Sequence, residues 1–113
     1  MKQLRFITII TVSLTILCCK KTAIANWETL TKLYSLYKNG EIDECKYKGK
    51  TIYAAANEGA EGNYSIYDKD GNIIGGCNYA NQPESICSQK QDCKLIYRNM
   101  YGFPFMDIYG LSK

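Results

Sequence analysis

The chain has 113 residues, with 14 lysine and arginine residues, 11 aspartate and glutamate residues, six cysteines and no histidine. This length allows one domain with a thin core, and 22% charged with 46% hydrophobic residues is the composition of a folded chain, not of a disordered or collagen-like one. The missing histidine excludes Ser-His-Asp and Cys-His catalysis and any zinc site that needs an imidazole.

The first 25 residues are typical of a secretory signal peptide. Lys2 and Arg5 precede an apolar run over residues 6–19, and an Ala-Ile-Ala sequence that ends at Ala25 matches the small-x-small cleavage pattern. The apolar run is shorter than the about 20 residues that a membrane-spanning helix needs. We therefore predict a signal peptide over residues 1–25 and a single small domain over residues 26–113.

A bacterial lipoprotein signal is the alternative for this leader. The Ile-Leu-Cys-Cys sequence that ends at Cys19 resembles a lipobox, in which Cys19 carries the lipid. Cys18 stands where such motifs have Gly, Ala or Ser, so the pattern at Ala25 favours ordinary cleavage. Lipidation at Cys19 would make the protein an envelope lipoprotein at the outer surface.

Cleavage changes the net charge of the protein. The leader holds four basic residues and no acidic one, so the mature chain has 14 minus 4, or 10, basic residues against 11 acidic ones, a net charge of −1 instead of +3. Its one local cluster, Lys46, Lys48 and Lys50, is interpreted as the solvated face of a hairpin. Because nucleic-acid binders need clustered basic residues, we expect no nucleic-acid partner, and membrane contact only through a lipid on Cys19.

The mature chain keeps four cysteines, Cys45, Cys77, Cys87 and Cys93. An even count in a short chain that passes through an oxidising compartment predicts two disulfide bonds. Three pairings are open, of which we favour a local Cys87–Cys93 bond with a long-range Cys45–Cys77 bond. With no C-x-x-C motif and no histidine to activate a thiolate, structural bridges are favoured over a nucleophile, a redox pair or a metal site.

The predicted elements begin with an amphipathic helix over residues 26–39. Asn26 is a suitable N-cap, and Asn39 with Gly40 supplies a left-handed stop. One stripe of this helix is apolar and is expected to pack on the core. The residues of the stripe are Trp27, Leu30, Leu33, Tyr34 and Tyr37.

Extended segments follow, joined by turn sequences such as Lys-Gly-Lys and Asp-Gly-Asn. The apolar tail over residues 99–113 is expected to pack on the sheet or on a partner. The predicted fold is therefore α+β, an N-terminal amphipathic helix on a small antiparallel β-meander of four to five strands, stabilised by disulfides. The strands are predicted over residues 42–47, 51–55, 64–67, 73–79 and 94–97, and a short helix over residues 83–89.

Two groups of acidic residues are candidates for a calcium site or for a catalytic carboxylate pair. The segment over residues 68–72 looks like a fragment of a calcium loop, but Ile66 and Cys77 stand where that loop needs ligands, so we predict a hairpin turn, no metal and no cofactor. Paired carboxylates could make the protein a small hydrolase, although solvated surface positions are favoured. The candidates for such a pair are Glu41, Asp43, Glu44, Glu58 and Glu61.

Tyrosine is unusually frequent, with 10 in the chain. Many fall in predicted strands, where tyrosine also serves as ordinary core and surface filling. A recognition surface is the functional alternative, since tyrosine offers a large contact area with a polar end. The residues that we expect on such a surface are Tyr64, Tyr67, Tyr79, Tyr101 and Phe103.

The stretch over residues 47–53, Tyr-Lys-Gly-Lys-Thr-Ile-Tyr, and the hairpin sequence over residues 66–74 resemble a group of short, signal-bearing bacterial secreted and envelope proteins of uncharacterised function. The resemblance covers residues 27–77, and the chain departs from the group in its cysteine placement and in the extension after Cys77. It implies a secreted or envelope-attached α+β domain and no catalytic residues.

Together these features predict a secreted, periplasmic or envelope domain with two disulfides that is not an enzyme. We expect it to bind a protein or glycan partner, for example as an inhibitor of a hydrolase. A structural lipoprotein anchored at Cys19 and a small carboxylate-using hydrolase are the alternatives.

Overall fold

The structure of the protein, a computed structural model, describes residues 24–60, 62–78 and 85–113. Most of the predicted leader, including Cys19, lies outside these residues, and so do Glu61 and Tyr79. The described elements are helix α1 (Trp27–Tyr37), strands β1 (Gly40–Tyr47), β2 (Lys50–Asn57), β3 (Tyr64–Asp68) and β4 (Ile73–Cys77), helix α2 (Ile86–Gln89), and strands β5 (Gln91–Arg98) and β6 (Met106–Asp107).

The strands form a single sheet in the order β4-β3-β2-β1-β5-β6, and every neighbouring pair is antiparallel. This confirms the predicted α+β class and the antiparallel sheet. The predicted count of four to five strands is wrong, because a two-residue β6 adds a sixth. The sheet is also not a continuous meander, since β5 pairs with β1 and leaves β4 as the other edge.

Helix α1 has 11 residues, fewer than predicted, and Asn26 is its N-cap residue, as predicted. Asn26 has a left-handed backbone (φ 61°), and its side chain makes no capping hydrogen bond. Instead its Nδ2 atom donates to the hydroxyl of Tyr53, at 3.0 Å. Asn26 thus occupies the predicted N-cap position but makes no side-chain cap, because its backbone is left-handed whereas a capping side chain goes with an extended backbone.

The predicted left-handed stop at the end of this helix is also wrong. Lys38 follows the helix with right-handed dihedrals, and Gly40 is the first residue of β1. A Cβ atom at Gly40 would collide with the carbonyl oxygen of Ala56 and lie 2.7 Å from the Cα atom of Asn57. Glycine is thus needed here because the backbone of β2 passes so close.

The core has two parts, one on each face of the sheet. Helix α1 covers the first face, where Leu30, Leu33 and Ile42 are fully buried. The second face is smaller, with Ile52 and Ile66 buried, and α2 packs against it through its first residues. No helix within the described ranges is long and apolar enough to cross a membrane.

The disulfides join Cys45 to Cys93 and Cys77 to Cys87, so the favoured pairing is wrong. Because β5 lies next to β1, the Cα atoms of Cys45 and Cys93 are 4.0 Å apart. The second bond ties the end of β4 to α2, with Cα atoms 5.2 Å apart. Disulfides persist in oxidising compartments, so this pair of bonds indicates an extracytoplasmic location.

The C-terminal tail packs on the sheet in part. Its strand β6 pairs with β5, Leu111 is buried, and Tyr109 packs against the helix-side core. By contrast, the connection between β5 and β6 carries aromatic side chains in solvent.

Candidate binding surface

The most exposed aromatic side chains of the described residues lie on the connection between β5 and β6, residues 99–105, which we term the aromatic loop. Tyr101 is 92% exposed, Phe103 56% and Phe105 59%. Large aromatic side chains normally find the core of a small domain. Three exposed ones within five residues therefore mark this loop as a candidate binding surface.

The aromatic loop is anchored to the rest of the domain at several points. The backbone N–H of Asn99 donates to the carbonyl of Gly40 at 2.9 Å, and the backbone N–H of Tyr101 donates to Glu58 Oε1 at 3.0 Å. At the other end of the loop, the Nε atom of Arg98, the last residue of β5, donates to the carbonyl oxygen of Pro104 at 3.3 Å. These bonds tie the loop to the start of β1 and to the turn after β2, so that its rings are presented on a held backbone.

Ring contacts add to this support. The guanidinium carbon of Arg98 lies 5.0 Å from the centre of the Phe103 ring, a cation–π geometry. Phe105 packs edge-to-face on Tyr97, with ring centres 6.0 Å apart, and Tyr97 packs in the same way on Tyr34 of α1 at 5.3 Å. The loop thus continues an aromatic row that starts in the core.

The structure separates the residues that were predicted for a recognition surface. Tyr101 and Phe103 lie together on the aromatic loop, whereas Tyr64 is half-buried on β3. Tyr67 is only 4% exposed, and its hydroxyl shares a hydrogen bond of 2.7 Å with that of Tyr37. Placing Tyr67 on a binding surface is therefore wrong, because the register of β3 turns its side chain toward α1.

Phe105 and Arg98 belong to this surface although the sequence did not single them out. The run of apolar residues in the tail was a signal for Phe105, but the sequence pattern did not separate the rings that remain in solvent from those that pack. Arg98 is the last residue of β5, so its position over Phe103 depends on the backbone path of the loop.

The carboxylates that were considered for hydrolase chemistry have different partners. Glu41 and Glu44 are three residues apart on β1, so their side chains leave opposite faces of the sheet. Glu41 accepts a hydrogen bond from the Tyr64 hydroxyl, and Glu44 accepts one from the Tyr109 hydroxyl at 3.2 Å. Neither face thus combines these two acids into one site.

Glu41 and Asp43 do share a face, the one that α1 does not cover. Burial and, next, the charge of Glu41 raise the pKa of Asp43 to about 6, while Lys90 and Arg98 act in the opposite direction. Burial and the hydrogen bond to Glu41 raise the pKa of Tyr64 far above its usual value. Asp43 and Tyr64 thus hold their protons more tightly than free side chains do.

Changing Asp43→Asn is expected to stabilise the protein at pH 7.5 by on the order of 1 kcal/mol, discounted for the solvent that still reaches the carboxyl. Because the pKa of Asp43 is about 6 in the folded protein and 3.8 otherwise, ionisation of this carboxyl lowers the stability of the fold. This loss of stability is absent below pH 4, where the carboxyl is protonated in both states, and it develops as the pH rises through 6. The gain of the variant in thermal unfolding temperature should therefore vanish near pH 4. Asp92→Asn, at an exposed position, is the control for charge removal, and an equal gain for Asp43→Asn at both pH values would contradict the assignment.

The segment over residues 68–72 forms a hairpin turn. The Asp68 carboxylate accepts hydrogen bonds from the backbone N–H groups of Asp70, at 2.9 Å, and Asn72, at 3.0 Å. These hydrogen bonds, of which the one from the backbone N–H of Asn72 has the largest effect, hold the pKa of Asp68 below its usual value. Across the described ranges, no group of three or more His, Cys, Asp or Glu side chains could hold a metal ion.

Comparison with known proteins adds no relative. No protein-family model, curated protein or solved structure matches this chain. The resemblance to short bacterial secreted proteins therefore stays a prediction, and the candidate surface rests on its own geometry.

Proposed function

We propose that the protein is an exported, non-enzymatic domain that binds a protein partner through the aromatic loop. The observation that carries this proposal is the exposure of Tyr101, Phe103 and Phe105 on a loop that is anchored on both sides. Exposed rings on a held backbone lose little conformational freedom on binding, which favours affinity.

A protein partner is favoured over a glycan by the kind of side chains that the loop presents. Tyrosine, phenylalanine and arginine are the residues enriched in the centres of protein–protein interfaces. Arg98 lies against Phe103 with its guanidinium still close to solvent, so it can add hydrogen bonds at the edge of the rings. A glycan remains the second kind of ligand that the experiment below distinguishes.

The location follows from two independent features. The two disulfides indicate an oxidising, extracytoplasmic compartment. The basic and apolar residues before Ala25, which we interpret as a signal peptide, support export of the protein. The domain would act outside the cell or in the periplasm after cleavage, or at the outer surface if Cys19 carries a lipid.

Immobilised protein is expected to capture a partner from envelope and culture-fluid fractions. The variant Tyr101→Ser/Phe103→Ser is expected to capture at least tenfold less of this partner than the wild type does. Removing two central rings costs about 1–2 kcal/mol or more each at an interface centre. The control is Leu36→Ser/Ile108→Ser, which removes two exposed apolar side chains, 52% and 51% exposed, that lie outside the aromatic loop.

The same fractions treated with protease or with periodate identify the class of partner. Loss of capture after protease treatment, with no loss after periodate, supports a protein partner. Loss after periodate alone would make the partner a glycan. Equal capture by the wild type and by Tyr101→Ser/Phe103→Ser, with both folded, would overturn the assignment of the loop.

A further inference from the structure

A second surface lies at the end of the sheet opposite to the aromatic loop. Strand β1 runs from Gly40, beside the aromatic loop, to Tyr47, a distance of about 25 Å for eight extended residues. The turn after β1 and the turn after β3 meet at this second end, and together with the end of α2 they present a group of lysines. We term this surface the lysine end; its lysines are Lys48, Lys50, Lys69 and Lys90.

These lysines line two adjoining clefts. One cleft of about 380 Å³ is lined by Lys48, Lys50 and Lys69, and the other, of about 400 Å³, by Lys48 and Lys90. Tyr47 lines both clefts, and the Nζ atom of Lys48 lies 5.2 Å from the centre of its ring. The four cations are thus on one continuous surface with an aromatic ring between them.

Exposed aliphatic side chains border the same clefts. Ile73 and Ile74 are the first residues of β4, with 67% and 44% of their surface exposed, and Ile74 lines the cleft of about 380 Å³ together with Lys50. Exposed isoleucines beside lysines and a tyrosine are the combination that lies at a membrane–water interface, with apolar groups among the acyl chains and cations on the headgroups.

The acidic groups of this end do not cancel its charge. Asp68 accepts hydrogen bonds from two backbone N–H groups of its own hairpin, and Asp70 pairs with Lys69 at 3.8 Å. Glu28 and Asp92 also lie near this end. Against these four acids stand the four lysines of the surface and two more, Lys32 and Lys46, which donate to Gly71 and Thr51.

The N-terminal segment is joined to the domain at the lysine end. Ile24 and Ala25 line a further cleft of about 700 Å³ together with Lys69 and Asp70. The first turn of α1 is held there as well, since Thr29 Oγ1 donates to the carbonyl of Lys69 at 2.6 Å. Ile24, the first residue that the structure describes, therefore lies on this side of the domain.

We propose that the lysine end is a docking surface for an anionic phospholipid bilayer. The charge of Lys48, Lys50, Lys69 and Lys90 is complementary to anionic headgroups, and Ile73 and Ile74 can enter the interface between headgroups and acyl chains. In this orientation the aromatic loop points away from the bilayer. This inference replaces the expectation that membrane contact needs a lipid on Cys19, and it is independent of the proposed partner of the aromatic loop.

Vesicle sedimentation with the protein as exported from a bacterial host tests the surface. Binding to vesicles of phosphatidylcholine with phosphatidylglycerol is expected to exceed binding to pure phosphatidylcholine by at least tenfold and to fall with rising salt. Each basic residue at an anionic surface strengthens binding about fivefold, so Lys48→Gln/Lys50→Gln should weaken it about 25-fold. The separate variant Ile73→Ser/Ile74→Ser should also weaken vesicle binding, but without changing its salt dependence.

Matched variants distinguish a defined surface from general charge. Lys38→Gln/Lys113→Gln removes the same charge at two lysines that line neither cleft and should leave binding within about twofold. Leu36→Ser/Ile108→Ser is the corresponding control for the isoleucines and should also leave binding within about twofold. An equal loss in the control and test variants would overturn the proposal, as would equal binding to neutral and anionic vesicles. Complete competition by millimolar glycerol phosphate would replace the bilayer surface by a site for a single phosphate group and would likewise overturn it.

Discussion

Replacing Cys45 and Cys93 by alanine is expected to lower the free energy of unfolding by about 4 kcal/mol, and replacing Cys77 and Cys87 by about 3 kcal/mol. The paired residues are 48 positions apart in the first bond and 10 in the second. Since the longer loop restricts the unfolded chain more, its bond contributes more stability. Urea unfolding of both double variants measures the difference. A larger loss for the Cys77 and Cys87 variant would show that strain or residual structure outweighs loop length.

Tryptic mapping under non-reducing conditions checks the pairing that underlies this prediction. Cleavage after the lysines leaves Cys77 and Cys87 in one peptide, residues 70–90, and places Cys45 and Cys93 in two others. The structure therefore predicts one cross-linked pair of peptides, 39–46 with 91–94, and an internal bond in 70–90. The pairing favoured from sequence would instead join all three peptides, so the observed masses separate the two cases.

Leu33→Ala is the second change with a large expected effect, a loss of about 3 kcal/mol of stability. The Leu33 side chain is fully buried between α1 and the sheet, and its truncation leaves a cavity in the helix-side core. Leu36→Ala, three residues further along the same helix, is the matched control because that side chain is 52% exposed and its expected effect is within about 0.5 kcal/mol. Equal losses would contradict the assignment of Leu33 to the core, because helix propensity favours alanine over leucine at both positions.

The two proposed surfaces fail independently in these experiments. The aromatic-loop variants alter side chains near one end of β1, and the lysine-end variants alter side chains near the other end. Unfolding measurements confirm that each variant is folded. Loss of partner capture with vesicle binding intact would support the aromatic loop alone. The reverse result would leave the protein as a membrane-surface domain whose partner binds elsewhere.

The predictable part of the fold was the part that depends on local patterns. Apolar residues at helical spacing indicated a helix from Trp27 onward, and the observed β1–β2 and β3–β4 hairpins have the turns that their glycine and asparagine residues predicted. The position of β5 was not predictable in this way. Its pairing with β1 joins segments some 50 residues apart, and no local pattern specifies which of two open edges a later strand will take.

The same distinction explains the candidate surface. Tyr67 and Tyr101 are the same residue type, but they differ in burial. The register of β3 buries Tyr67 beside Tyr37, whereas the loop after β5 leaves Tyr101 in solvent. Local propensity assigned both to a recognition surface, and only long-range packing could separate them. The disulfide pairing was missed for the same reason, because Cys93 meets Cys45 only once β5 lies against β1.

The sequence by itself determined the class of the fold, α+β with an antiparallel sheet and two disulfide bridges, and the lack of the histidine on which Ser-His-Asp and Cys-His catalysis depend. These properties follow from composition and from patterns within a few residues of one another. Tertiary structure alone decided the strand order, the pairing of the cysteines and which rings and lysines share a surface. Each of these depends on contacts between distant segments, whose free energy is set by the packing of the whole sheet.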